Sequence, residues 1–280
     1  MRNLGEVETI QSAVPEWFLP VVELLTTLGD LPVLLGIACL ALWVGERDRG
    51  AHAAGLILGG LALMVGLKAT FALPRPPADL HLIETGSTSF PSGHAMGATV
   101  VYGALALTLE RFGTRRRRLA VAGVLVALVG LSRIVLGVHY AADVLAGVVV
   151  GAAYLAGASR LARNEPRRTF GLAAAVAVAG LAVGAATGPT PYAACTGAVC
   201  VDRDAFAAVT VTAGALLGWI AADGRRIDGV TVAAGLAPIA TLALLVGTVD
   251  PYVVARGLVA GVAVGTVVVL SGLARGPSIG

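Results

Sequence analysis

The sequence predicts an all-α fold: a polytopic membrane protein of about nine transmembrane helices preceded by an interfacial helix. Three observations lead there. Of the 280 residues, 57% are hydrophobic and only 13% charged, whereas a soluble domain carries about 25% charge; the mean hydropathy is +0.85. Apolar runs recur at 51–67, 93–109, 119–131, 140–158, 170–187, 205–222, 229–249 and 252–274. Several approach the roughly 20 residues a helix needs to cross about 30 Å of hydrocarbon. Lipid leaves open backbone groups without partners, so spans are helices or closed barrels, and these continuous runs are too long for barrel strands. Finally, the arginines alternate from loop to loop.

In chain order, PEWFLPVVELLTTLGD (15–30) sets Trp17, Phe18, Val22, Leu25 and Leu28 against Glu16 and Glu23. This pattern suits a helix lying in the interface, or an extension of the next segment across the break at Gly29–Pro32. The run 31–44 is short for a span; it opens the series and would itself direct insertion, with no separate signal peptide expected. Between the later runs, the breaks GERDRG (45–50), ERFGTRRRR (110–118), SRLARNEPRR (159–168), DGRRIDG (223–229) and ARG (274–276) hold most of the arginines. The breaks 71–92, 132–139, 188–205 and the one near Asp250 are poor in them. Arginine-rich short loops stay cytoplasmic, which puts the C-terminus inside and the second set of loops outside. The arginine run 115–118 is a topology signal that could also attract anionic lipid; nucleic acid is not an expected partner. Lys68 is the only lysine among twenty basic residues. Abundant Arg, Ala, Gly and Val suit a GC-rich bacterial or archaeal genome.

With that topology, KATFALPRP (68–76), PSGH (91–94) and SRIVLGVHYAAD (132–143) converge at one membrane face. Ionisable groups inside a membrane cost roughly 2.5–3.5 kcal/mol each and mark function by default. His139 and Asp143 are four apart at the head of a span, which predicts one helical face and a separation of about 5–6 Å. They read either as a capping pair or as an imidazole oriented by a carboxylate, with its other nitrogen free to act as base or nucleophile. His94 follows a Pro-Ser-Gly turn at a helix start, where open N–H groups favour an anion; it is either an exposed interfacial residue or a general acid. Lys68, Arg75 and Arg133 either snorkel to headgroups or clamp phosphate oxygens. Taken together, three cations, two histidines and a carboxylate describe metal-free phosphoryl transfer. The spacing alone leaves open which histidine attacks.

The stretches Lys68-x6-Arg75-Pro76, Pro91-Ser92-Gly93-His94 and Ser132-Arg133-x5-His139-x3-Asp143 resemble the three signature motifs of the type 2 phosphatidate phosphatase superfamily, which also includes vanadium haloperoxidases. The resemblance covers about residues 25–160. It implies His139 as the nucleophile forming a phosphohistidine, Asp143 as its orienting carboxylate, and His94 as acid and then base. It also implies Lys68, Arg75, Ser92, Gly93 and Arg133 as phosphate ligands. The haloperoxidases are soluble, so the hydropathy places this chain with the membrane phosphatases. The expectation is a lipid phosphate or diphosphate phosphatase, metal-independent and without a cofactor, facing outward and acting on phosphatidate, polyprenyl (di)phosphate, phosphatidylglycerol phosphate or a related lipid. Alternatives are a phosphotransferase using an alcohol acceptor, or a non-catalytic lipid-binding or transport protein.

The expected division is a core at 1–165 and a four-helix extension at 166–280, for which dimerisation or a lipid-binding wall are the candidate roles. In the extension, Arg256 reads as a snorkelling residue. Cys195 and Cys200 fall in an outer loop where an oxidising exterior permits a disulfide; Cys39 reads as a small apolar residue. His52 reads as a solvated helix start. His81, with Asp79 and Glu84, reads as a solvated loop shaping substrate entry, since its spacing fits no strong metal motif. The glycines at 55, 59, 147 and 151 suit close helix packing.

Overall fold

The computed structural model describes residues 4–44, 46–111, 113–187, 193–196, 199–222 and 251–273. Ten helices and one hairpin make up the described chain: α1 (Leu4–Ser12), α2 (Leu19–Thr27), α3 (Leu31–Val44), α4 (Arg47–Phe71), α5 (Gly93–Thr108), α6 (Arg115–Val135), α7 (Ala141–Ala162), α8 (Pro166–Thr187), β1 (Ala193–Thr196), β2 (Val199–Asp202), α9 (Arg203–Ala222) and α10 (Pro251–Leu273). The all-α expectation holds, with a two-stranded antiparallel hairpin as the exception. Among the described residues, five helices (α4, α6, α7, α8 and α9) are long and apolar enough to cross a membrane, or six segments if α2 and α3, bent by 46° at their break, count as one span. The sequence expectation of about nine is larger for identifiable reasons. At 16 and 14 residues, α5 and α3 reach only about 24 and 21 Å, the apolar part of α10 is confined to Ala255–Ser271, and the expected span at 229–249 lies outside the described residues.

Two compact units emerge: residues 1–40 with 71–157, and residues 41–70 with 158–280. In the first, α6 packs against α5, α2 and α1. Its inner side buries Ala122, Val126, Val129 and Gly130, while Leu119, Val121, Val124 and Leu131 are exposed. Likewise α7 exposes Leu145 and Val149. Apolar side chains on both the packed and the open face are what a helix between protein and lipid requires.

Helix ends position the polar residues. Ser92 caps α5, its hydroxyl accepting from the Ala95 N–H at 3.4 Å, and Thr114 caps α6 through the Arg117 N–H. At the other end of α6, Val138 N–H bonds the Arg133 carbonyl and Gly137 N–H the Ile134 carbonyl. Gly137 has φ +72°. This pattern is a Schellman motif with glycine at the left-handed position, and it turns the chain back into α7. At Gly147, a Cβ would come within 2.8 Å of the Ser92 carbonyl, so α5 and α7 approach as backbones near their N-termini. The expectation of close packing at this glycine holds.

In the second unit, Phe170 and Trp219 centre one apolar cluster and Phe206 another. Arg47 stacks on the Trp219 ring at 4.6 Å and donates to the Ala222 carbonyl. The reading of His52 as a solvated helix start is corrected here. It is buried, with Nδ1 2.6 Å from the Thr169 hydroxyl. That hydroxyl donates to the Glu165 carbonyl, so the ring N–H donates to Thr169. An inner-loop position in the sequence gave no sign that α8 would cover it.

Candidate active site

The first unit brings His139, Asp143, His94, Ser92, Gly93, Arg75 and Arg133 to one end, where α6 stops and α5 and α7 begin. Two backbone facts tie these ends together: Ser92 N–H donates to the Asp143 carbonyl at 3.0 Å, and the α6 turn delivers His139 two residues after Gly137. His139 and Asp143 are 1% and 0% exposed. Their relation differs from the expected pair on one helical face. Because α7 begins at Ala141, His139 precedes the helix. Tyr140 takes the N-cap position, its carbonyl accepting from the Asp143 and Val144 N–H groups. Asp143 then reaches back, Oδ2 accepting from the Tyr140 N–H at 3.3 Å, in the reciprocal manner of a capping box.

A residue not singled out in the sequence completes the pair. Ser89 is fully buried; its hydroxyl donates to Asp143 Oδ2 at 2.5 Å and lies 3.4 Å from His139 Nδ1. The direct His139 Nδ1–Asp143 Oδ2 separation is 3.6 Å, beyond a hydrogen bond. Asp143 therefore acts on His139 largely through Ser89. On the other side of the ring, Arg75 Nη1 lies 3.0 Å from His139 Nε2. A guanidinium only donates, so Nε2 carries the lone pair and Nδ1 the proton. The hydroxyl between Nδ1 and Asp143 has an acceptor lone pair to offer that proton. Arg75 is fixed by further donation to the Val138 carbonyl at 2.7 Å and to the Ser87 carbonyl at 2.6 Å.

His94 lies in the first turn of α5, and its Nε2 is 2.8 Å from Asp30 Oδ1. The positive charges of Arg133 and Arg75 both act on its ring. Arg133 is 3% exposed; Nη1 donates to the Thr26 hydroxyl at 2.7 Å, and Nε is a buried donor without a hydrogen-bond partner among the described residues. A buried guanidinium so incompletely satisfied favours an anion beside it. Thr26 and Asp30, like Ser89, escaped the sequence reading. The α2–α3 break that holds them packs on the site: Tyr102 donates to the Leu28 carbonyl at 2.8 Å. A Cβ on Gly29 would fall 3.0 Å from the His94 Cβ.

Lys68 stands in the last turn of α4, in the second unit. His81 Nε2 donates to the Pro76 carbonyl at 2.9 Å, bracing the loop that carries Arg75.

Residues 50–167 match the PAP2 superfamily, and this segment contains every residue of the three sequence motifs. Over 75 residues the chain is 43% identical to phosphatidylglycerophosphatase B of Bacillus subtilis (strain 168), a match covering 25% of this chain and 37% of that protein. The crystal structure of the first transmembrane PAP2 type phosphatidylglycerolphosphate phosphatase from Bacillus subtilis is 28% identical, covering 54% of this chain and 79% of that one with a TM-score of 0.47.

Proposed function

We propose that this chain, whose residues 50–167 match the PAP2 superfamily, is a membrane-embedded phosphatase that cleaves a lipid phosphate monoester or diphosphate through a phosphohistidine. The observation that carries the reading is the buried His139 imidazole. Its proton is held on the Asp143–Ser89 side and its Nε2 lone pair is turned toward Arg75. A phosphate drawn in by Arg75 and Arg133 meets that lone pair directly. Lys68, seven residues before Arg75, is assigned to the same phosphate by its motif, as are Ser92 and Gly93 at the start of α5, where first-turn N–H groups are open to an anion.

In the first step, His139 Nε2 bonds to phosphorus as the P–O bond to the lipid breaks. The departing oxygen keeps the electron pair and takes a proton from His94. In the second step, water attacks phosphorus and gives a proton to His94, and the N–P electron pair returns to Nε2. Guanidinium groups fixed before the substrate arrives stabilise the charge gathering on the equatorial oxygens without reorganising. The arginine pattern of the loops supports a site on the extracytoplasmic side. The phosphatidylglycerophosphatase relative makes a phosphatidylglycerol phosphate a natural first substrate to try, beside phosphatidate and polyprenyl diphosphate.

The test is phosphate release by purified protein in mixed micelles across those three lipids and a soluble sugar phosphate, with and without EDTA. Release from at least one lipid, unaffected by EDTA, and loss of both turnover and acid-labile phosphoryl label in His139→Ala are expected. Activity that falls in EDTA and returns with a divalent cation would overturn the mechanism. Transfer of the label to an added alcohol in place of water would identify a phosphotransferase.

A further inference from the structure

The α2–α3 break contributes an acidic residue to the site that lies outside all three sequence motifs. Asp30 stands at the start of α3, its carbonyl accepting from the Leu34 N–H and its own N–H donating to the Thr27 carbonyl. The backbone is thus held from both helices. Tyr102, from α5, holds the preceding turn through the Leu28 carbonyl, and Arg133, from α6, holds Thr26. Asp30 Oδ1 is placed 2.8 Å from His94 Nε2, with its side chain 44% exposed and that of His94 24% exposed. The groups facing His94 are thus Asp30 from the break, Arg133 from α6 and Arg75 from the loop before α5.

We infer that Asp30 is the positioning residue of His94. It holds the Nε2–H and so assigns the transferring proton to Nδ1. The inference rests on the phosphatase reading above. Burial and the charges of Arg133 and Arg75 work against an imidazolium at His94, and Asp30, in contact with the ring, is the group that favours one. With Nε2–H bound to Oδ1, the Nδ1 proton goes to the lipid oxygen as its bond to phosphorus breaks. Nδ1 is then left with the lone pair that takes a proton from water in the second step, while Asp30 keeps Nε2–H throughout and stays ionised. The arrangement mirrors that of His139, where the held nitrogen is Nδ1 and the working one Nε2. In both rings a carboxylate fixes the tautomer and leaves the opposite nitrogen for chemistry.

A positioning role in acid catalysis leaves a signature that a packing role does not. Help from an acid matters for a poor leaving group such as a lipid alkoxide and little for p-nitrophenolate. The experiment measures the first turnover of the full-length protein with a short-chain phosphatidate and with p-nitrophenyl phosphate, in wild type, Asp30→Asn, Asp30→Glu and His94→Ala. General acid catalysis contributes about 10²–10⁴-fold. Asp30→Asn is therefore expected to slow release of the lipid alcohol by about 10–100-fold while the p-nitrophenol burst changes less than about 3-fold. His94→Ala is expected to show the same contrast more strongly, and Asp30→Glu to restore most of the loss. Equal slowing of both esters in Asp30→Asn, with a normal wild-type burst, overturns the inference alone. So does a fall in KM with kcat unchanged or raised, which would make Asp30 a competitor of the phosphate. Absence of phosphate release from either ester by the wild type overturns the phosphatase reading and this inference with it.

Discussion

Removing one oxygen, in Ser89→Ala, isolates the link between Asp143 and the His139 ring, the nucleophile of the proposed mechanism. The Ser89 hydroxyl is fully buried, 2.5 Å from Asp143 Oδ2 and 3.4 Å from His139 Nδ1. The substitution adds no volume, so the fold should persist. What is lost is a hydrogen bond to a charged group, worth about 1.5–3 kcal/mol; expressed wholly in the barrier, that is about 10–150-fold in rate. Asp143 keeps its bond from the Tyr140 N–H at 3.3 Å and remains 3.6 Å from Nδ1, so the carboxylate does not drift far. The lower part of the range applies: kcat down about 10–50-fold, with KM unchanged within about 2-fold because Ser89 has no role at the phosphate. Asp143→Asn should cost about 10³-fold or more, since it removes the charge that stabilises the imidazolium. Because Ser89 acts through Asp143, the double variant should be within about 3-fold of Asp143→Asn alone. The assay is steady-state phosphate release in mixed micelles, with thermal unfolding of each variant as the control. Full activity in Ser89→Ala, or losses that multiply in the double variant, would refute the relay.

Gly137→Ala tests the turn that delivers His139. Its φ of +72° is left-handed, and an added Cβ would collide with the Leu80 carbonyl. With about 1–2 kcal/mol for the left-handed conformation alone, a lower thermal midpoint together with loss of turnover is expected, and an unchanged midpoint would dismiss the argument. In the second unit, β1 and β2 set Cys195 and Cys200 directly opposite each other in register. Paired residues across antiparallel strands have Cα atoms about 4.5–5.5 Å apart, a separation a disulfide spans. Alkylation without reductant should therefore modify Cys39 alone in the mass of the intact protein, and labelling of all three thiols would rule the bridge out.

The spacing of polar residues in an apolar chain was sufficient to single out both histidines, Asp143, Arg75 and Arg133, which the fold gathers at one end of the first unit, because lipid makes every such residue expensive and so conspicuous. It was not sufficient for Ser89, Thr26 and Asp30. Serine and threonine satisfy themselves easily on a helix and raise no alarm in a hydrophobic run. Asp30 sits beside Gly29 at a break where an acidic residue is ordinary turn chemistry. Only the packing of the α2–α3 turn against α5 and α6, a contact between residues more than sixty positions apart, turns it into a site residue. The i,i+4 argument for His139 and Asp143 reached the right pair by the wrong geometry. Periodicity marks a helix but not its first residue, and here the boundary at Ala141 makes the contact a capping arrangement. His52 failed in the opposite direction, since a charged neighbourhood in sequence concealed burial under Thr169.

The distribution of the site along the helices follows from the solvent. Within hydrocarbon a helix interior already pairs its N–H and C=O groups, and any further polar group there must find its own partner. Only the ends have open donors and acceptors, so a membrane chain can gather polar side chains at low cost where helices stop. Ser92 at the cap of α5, Tyr140 and Asp143 at the start of α7, Gly137 past the end of α6 and Asp30 before α3 all occupy such places. The same bonds that terminate these helices hold the two imidazoles to which the proposed mechanism gives the chemistry. A capping bond here does two jobs, and its loss should register in both: a variant at Ser92 or Tyr140–Asp143 that frays a helix start should lose turnover and thermal stability in parallel. Ser89 and Asp30, which touch a ring without ending α5 or α7, should separate the two. That difference distinguishes the scaffold of this site from its chemistry.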